Sequence, residues 1–227
     1  MTLRIIQKLV SLALLTLSVK AFADDKTHSA FAGPYIRLGT GEQYSHIFNE
    51  NVQATTGSPS FNQPSASSHG FLGQVLAGYG YDIGEKFNIS ANIFYNFGDK
   101  KVNDIRATWY HDTVKQELKN SVGFYLAPGY KFNDATLVFL KLGYARADKE
   151  YIRETRTPSI NINDSVNGYL WGLGIKHSLT ENIFLGIDFT KHNYGNTSQT
   201  TNLNGLSVNI SSKNEQTNAL ISIGYKF

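Results

Sequence analysis

The residues that could do chemistry in this 227-residue chain are few and scattered. His177 and Ser178 stand side by side and are the residue types of a general base and a nucleophile. Adjacent side chains of a strand point to opposite faces, however, so these two could not act on each other. His192 lacks the His-x-Ser spacing that would place a base and a nucleophile on one strand face. The sequence therefore predicts a protein that is not an enzyme; a serine and a carboxylate within hydrogen-bond reach of His192 would favour the opposite interpretation.

Four charged residues form a second candidate group, because they share one face of the strands assigned below. Arg37, Lys141, Lys176 and Asp188 all fall on the face that carries small and polar side chains. Lys141 and Asp188 follow predicted turns at equal distances and so share a depth, and Lys176 is on the strand next to Asp188. A buried charge without a partner is costly. We predict that Asp188 anchors a charge network with Lys176, Lys141 or both, with Arg37 on the same face; an Asp188 solvated in a wet pocket is the alternative.

Metal ions, cofactors and nucleic acids have little support in the composition. The six histidines occur singly and cysteine is absent, so we predict neither a metal site nor a cofactor. The chain has 21 Lys and Arg against 18 Asp and Glu, but Arg4, Lys8 and Lys20 lie in the N-terminal segment discussed next. The rest of the chain is close to neutral, and nucleic acid, which requires a basic footprint, is not an expected partner.

The N-terminal segment is typical of an export signal. Arg4 and Lys8 begin it, residues 9–19 form an apolar core too short to span a bilayer, and Ala21-Phe22-Ala23 is a small-x-small cleavage site. We predict a signal peptide at residues 1–23, a short periplasmic leader at 24–33 and a single β-domain at 34–227.

The rest of the chain alternates between apolar and polar residues in steps of two. From Phe87 to Phe97 the odd positions are apolar or aromatic and the even positions are mostly Asn and Ser, and the stretch from Thr217 to Phe227 alternates in a similar way. Such alternation is typical of strands with one face toward lipid and the other toward a lumen. We count eight strands, near residues 34–44, 69–82, 86–97, 120–132, 136–147, 165–178, 183–194 and 217–227.

Turns and loops between these strands differ in length in a regular way. Short turns lie near residues 84, 134 and 181, whereas polar segments at 45–68, 98–119, 148–164 and 195–213 predict long loops. This is the pattern of an outer-membrane barrel. We predict an all-β fold, an eight-stranded antiparallel up-and-down transmembrane β-barrel with short periplasmic turns, long extracellular loops and a lumen plugged by side chains. Pro128 removes a ladder donor, so we expect a local bulge there.

Several motifs resemble those of a known family. Opacity-protein and OmpA-type eight-stranded barrels have hairpins similar to residues 126–147, which include Leu-Ala-Pro-Gly-Tyr-Lys-Phe-Asn-Asp, and to residues 171–195, which begin Trp-Gly-Leu-Gly-Ile-Lys-His. The ending Gly-Tyr-Lys-Phe is similar to the aromatic signal that this family presents to its insertion machinery, which implies that Tyr225 and Phe227 act in assembly. The resemblance covers the barrel only, and we expect no periplasmic domain after it.

The resemblance also implies a location and a role. We expect a Gram-negative outer-membrane protein, exported through a cleaved signal peptide, whose extracellular loops act in surface contact (adhesion or host evasion) or envelope integrity. Its expected partners are outer-membrane lipids and lipopolysaccharide, the barrel-assembly machinery and host surface molecules, and it is expected to be a monomer. A lipid-modifying outer-membrane enzyme and a narrow porin are the alternatives.

Overall fold

The computed structural model describes residues 29–54, 61–63, 66–98, 105–107, 112–154, 160–203 and 206–227. Side chains are described at 29–46, 67–98, 120–148, 165–195 and 213–227. The predicted signal peptide and leader residues 24–28 lie outside the described residues. Within these ranges no helix is long and apolar enough to cross a membrane.

Eight long antiparallel strands follow one another and close into a barrel. Each long strand pairs with the next, and the first pairs with the last from Tyr35 opposite Lys226 to Ala54 opposite Val208. Two short strands, Phe61–Gln63 and Ile105–Ala107, pair with the first and fourth long strands. The predicted eight-stranded up-and-down barrel is confirmed. Its strands are, in order, Gly33–Ala54, Ala66–Ile83, Phe87–Phe97, Asp112–Asn133, Thr136–Glu154, Ile160–Ser178, Ile183–Leu203 and Leu206–Lys226.

The stagger of the barrel is the offset along the first strand that remains after following the paired residues once around the wall. The path starts at Ile36 of the first strand and returns to that strand at His46, ten residues further on. In between it passes through Ala77, Ile93, Phe124, Tyr144, Tyr169, Asn193 and Glu215. At about 3.3 Å per residue and about 4.8 Å per strand, this stagger tilts the strands by about 41° from the barrel axis. Eight strands at such a tilt enclose an interior just wide enough for side chains to fill.

The outer surface carries an apolar belt as high as a membrane. On the third strand every outward side chain from Phe87 to Phe97 is apolar or aromatic. These ten residue steps rise about 25 Å along the axis at the tilt above, which equals the apolar band of outer-membrane barrels. Exposed aromatic residues line both edges of the belt: Tyr81, Phe87, Tyr130, Phe132 and Tyr225 on the periplasmic side, and Tyr44, Phe71, Tyr144, Tyr169 and Trp171 on the extracellular side.

The strands extend beyond the belt further than the sequence predicted. Short turns occupy 84–86, 134–135 and 179–182, as expected, but most of 195–213 and 148–164 is paired strand rather than loop. A strand that has left the membrane no longer needs an apolar face toward lipid. Backbone pairing therefore continues there without the apolar alternation that reveals a strand in a sequence.

The bulge predicted at Pro128 is absent. The fourth and fifth strands keep one register from Leu126 to Gly129, and their register shifts instead between Lys131 and Asn133. Ala127 and Pro128 have no partner on the fifth strand in this ladder, whereas Pro128 lies opposite Ile89 on the third. The missing proline N–H is thus accommodated by a gap in one ladder and not by an inserted residue.

Candidate functional site: the lumenal charge cluster

Strand alternation directs Asp188 of the seventh strand into the lumen, where its side chain is 0% exposed. Its registered neighbour on the sixth strand is Gly174. A Cβ at Gly174 would lie 2.7 Å from the Asp188 Cβ and 2.5 Å from the ring of Phe139. The glycine therefore leaves the space beside the carboxylate to side chains that arrive from other strands.

Two cations contact the Asp188 carboxylate. Arg37, from the first strand, places its Nη1 atom 2.8 Å from Oδ2. Lys141, from the fifth strand, pairs with Oδ1 and also donates to the Thr190 hydroxyl at 3.1 Å. Neither strand adjoins the seventh, so both contacts reach past an intervening strand. The structure thus gathers three of the four residues of the predicted group into one cluster, each at most 2% exposed.

Lys176, the fourth residue, lies close by but has a different partner. Its Nζ atom donates to the Tyr35 hydroxyl at 2.9 Å and lies 4.1 Å from the centroid of that ring. The rings of Phe139 and Phe184 are each 5.4 Å from the same nitrogen. Ring faces attract an ammonium group, and the attraction strengthens away from water. Of the two lysines proposed for Asp188, Lys141 contacts it and Lys176 occupies this aromatic box.

Sequence reasoning did not assign the neutral partners of the cluster. Arg37 donates to Gln74 at 3.1 Å and to the Tyr125 hydroxyl at 3.4 Å, and Tyr35 accepts from Lys176. Strand parity marks all of these side chains as inward-pointing. Parity does not, however, say which inward residues meet, because that depends on the stagger of the barrel.

Other contacts span the lumen at a second depth. Phe94 of the third strand meets His192 of the seventh, with ring centroids 6.2 Å apart. These strands face each other across an eight-stranded barrel. At the depth of the charge cluster, the hydrogen bond from Arg37 to Tyr125 connects the first strand with the fourth. At both depths, side chains from distant parts of the wall therefore touch.

The histidines considered as catalytic bases have other contacts. His177 Nδ1 lies 3.0 Å from the Thr136 hydroxyl, and the Ser178 hydroxyl donates to the Thr180 carbonyl at 2.6 Å. His192 is 1% exposed and its Nε2 lies 3.2 Å from the side-chain amide of Asn218. In the described part of the chain, no three His, Asp or Glu side chains are grouped so that they could hold a metal ion.

The predicted assembly residues lie at the periplasmic edge of the belt. Tyr225 is 46% exposed and its ring meets that of Phe227 edge-on, with centroids 5.3 Å apart. The Phe227 N–H donates to the Pro34 carbonyl at 3.0 Å. The last residue is therefore joined to the first strand, directly at the closing seam.

A small ion-pair network lies above the belt on the extracellular side. Glu215 accepts from Lys191 at 2.8 Å and from Lys213 at 3.1 Å. The hydrogen bond from Lys191, which outweighs the opposing effect of burial, and that from Lys213 hold the pKa of Glu215 below its usual value.

The closed eight-stranded barrel, with its membrane-high apolar belt, has a counterpart in a known protein family. The family model for the outer membrane protein beta-barrel domain matches residues 9–227. The chain belongs to this family. Membership places the protein in the outer membrane. No curated protein sequence matches the chain.

Solved outer-membrane barrels are similar to the chain at low sequence identity. Ail, the attachment invasion locus protein of Yersinia pestis, is 10% identical, with 85% of this chain and 98% of that chain covered and a TM-score of 0.40. OprG of Pseudomonas aeruginosa is 14% identical (89% and 99% covered, TM-score 0.48). The outer membrane protease OmpT of Escherichia coli is 9% identical (86% and 96% covered, TM-score 0.43). Attachment and proteolysis are activities of those proteins.

Proposed function

We propose that this protein is a non-enzymatic outer-membrane surface protein with a plugged lumen, which acts through the extracellular ends of its strands in surface contact or envelope integrity. The observation that carries the proposal is the set of lumenal contacts. Arg37 and Lys141 meet at Asp188, and Phe94 meets His192 from the opposite wall. A solute would have to separate buried charges to pass, and breaking such a pair costs about 3–5 kcal/mol.

The surface that remains for a partner is the extracellular one. The seventh and eighth strands stay paired up to Leu203 opposite Leu206, well above the belt residue Ala219. This paired ribbon extends beyond the headgroups, and its sequence is rich in Ser, Thr, Asn and Gln. Lipopolysaccharide, on the membrane side of this surface, and host molecules, on its far side, are the partners we propose, with the barrel acting as a monomer.

Absence of catalysis is part of the proposal. His192, one of the two candidate bases, is buried among Phe94, Tyr194 and Asn218 instead of facing the lipid interface. His177 lies on the outer surface at the periplasmic end. The closed lumen is tested by recording purified protein in planar lipid bilayers: we expect no conductance steps, and reproducible steps from correctly folded protein would favour the narrow porin.

The surface role is tested by shortening one ribbon at a time. Residues 196–212 are replaced by Asn-Gly, a sequence that favours a two-residue hairpin, and in a matched variant residues 150–163 are replaced in the same way. Attachment to host cells and leakage of a periplasmic marker are then measured. Loss of attachment alone indicates adhesion or evasion, and leakage alone indicates envelope support. If neither readout changes in either variant, the proposal is wrong.

A further inference from the structure

Residues 29–33, which end with the first residue of the first strand, fold back into the periplasmic mouth of the barrel. Phe31 is only 4% exposed, although it lies in a short polar leader. Gly33 has a φ of 106°, a left-handed conformation that a residue with a Cβ rarely adopts. This glycine redirects the chain from the mouth into the strand.

The backbone of this segment is held by side chains from two different strands. Asn88, on the third strand, donates its Nδ2 to the Phe31 carbonyl at 3.4 Å. Lys226, near the end of the eighth strand, donates its Nζ to the Ser29 carbonyl at 2.7 Å. Between these strands lie the first and second, so the segment bridges the seam at which the barrel closes.

The second strand has a glycine where the segment passes. A Cβ placed on Gly80 would lie 2.1 Å from the Phe31 carbonyl oxygen, closer than van der Waals contact allows. Gly39 is an inward glycine of the first strand and serves as a contrast, because its Cβ would meet no atom closer than 3.4 Å. The wall of the mouth is thus shaped around the backbone of the leader.

We propose that residues 29–33 form a cap that closes the periplasmic mouth and fastens the eighth strand to the third across the seam. Burying the Phe31 ring removes apolar surface from water. The two donated hydrogen bonds satisfy carbonyl groups that the fold takes out of solvent. The ion pair of Asp82 with Lys131, and the bond from Asn88 to Asp82 at 2.6 Å, hold the surrounding wall in place.

The cap is tested by cleavage with chymotrypsin after Phe31, using protein isolated from the outer membrane. Cleavage of a folded chain follows the population of the open form. Mass spectrometry of the N-terminal fragment separates this cut from cuts in the extracellular ribbons. We expect slow cleavage in the wild type, a rise of roughly tenfold or more in Gly80→Ala, and no change in Gly39→Ala.

A second pair of variants covers the case in which Gly80→Ala does not fold, as judged by its gel mobility before and after boiling. Lys226→Met keeps the length of the side chain but removes the donor to Ser29, and we expect faster cleavage. Lys86→Met, at an exposed turn, is its control and should match the wild type. Wild-type cleavage as fast as that of the unfolded chain, or an unchanged rate in both Gly80→Ala and Lys226→Met, would overturn the proposal.

Discussion

Replacing Asp188 by asparagine keeps the shape of the side chain but removes the one acidic partner that Arg37 and Lys141 share in the described lumen. Both cations would then be at most 2% exposed without a counter-charge. Breaking a buried pair by removing one partner costs about 3–5 kcal/mol. We therefore expect Asp188→Asn to lose about that much free energy of unfolding. With a urea dependence of about 2–3 kcal/mol per molar, the unfolding midpoint should fall by about 1–2.5 M.

The assay is urea unfolding of the refolded barrel in detergent or lipid, followed by intrinsic fluorescence and by gel mobility. Asp134→Asn is the matched control, because Asp134 is exposed in a periplasmic turn, and its midpoint should stay within experimental error of the wild type. Lys141→Met should cost less than Asp188→Asn, since Asp188 keeps Arg37. An Asp188→Asn midpoint equal to that of the wild type would refute the charge-network argument.

Four further outcomes are expected. Unheated protein should migrate differently from boiled protein on a gel, and a soluble periplasmic protein without a shift would contradict the barrel's membrane location. Deletion of Phe227 should slow membrane insertion but still permit folding in detergent; equal surface levels of both forms would count against an assembly role. Lys176→Met should be neutral or stabilising, because an apolar chain of similar volume fills the aromatic box, and any loss of stability beyond experimental error would contradict this. Ionised Glu215 should stabilise the folded state at pH values above its ordinary pKa of about 4.3. This stabilisation should be lost as the pH falls through the lowered pKa of the folded state. The difference in unfolding free energy between wild type and Glu215→Gln should therefore disappear in acid.

Strand parity predicts which side chains enter the lumen, and parity alone assigns Asp188, Arg37 and Lys141 to it. The rule is reliable because the side-chain period of a strand is two, whatever the strand pairs with. Parity could not decide between Lys141 and Lys176. Register decides: Lys176 lies opposite Gly186, two residues below Asp188 on the seventh strand, beside the ring of Tyr35.

The burial of residues 29–33 and the extension of the strands above the belt could not be predicted from the sequence, for a related reason. Phe31 is a single apolar residue in a polar segment, so no periodicity marks it as buried. The ribbons extend above the apolar belt, and their polar composition resembles that of a loop. Apolar and polar residues alternate along a strand only where its two faces lie in different environments. The alternation therefore cannot identify a strand whose two faces lie in the same environment.

The charges of the described lumen explain why the Asp188 cluster and the aromatic box around Lys176 are built differently. Arg37, Lys141 and Lys176 are buried there with Asp188 as their acidic neighbour, so the single negative charge of one carboxylate cannot neutralise all three cations. Two of them share it, and the third is compensated by a hydroxyl and by ring faces. If this division is correct, charge removal at Asp188 should destabilise the barrel, whereas charge removal at Lys176 should not. A lumen held together by packing alone would instead respond to both changes in the same direction.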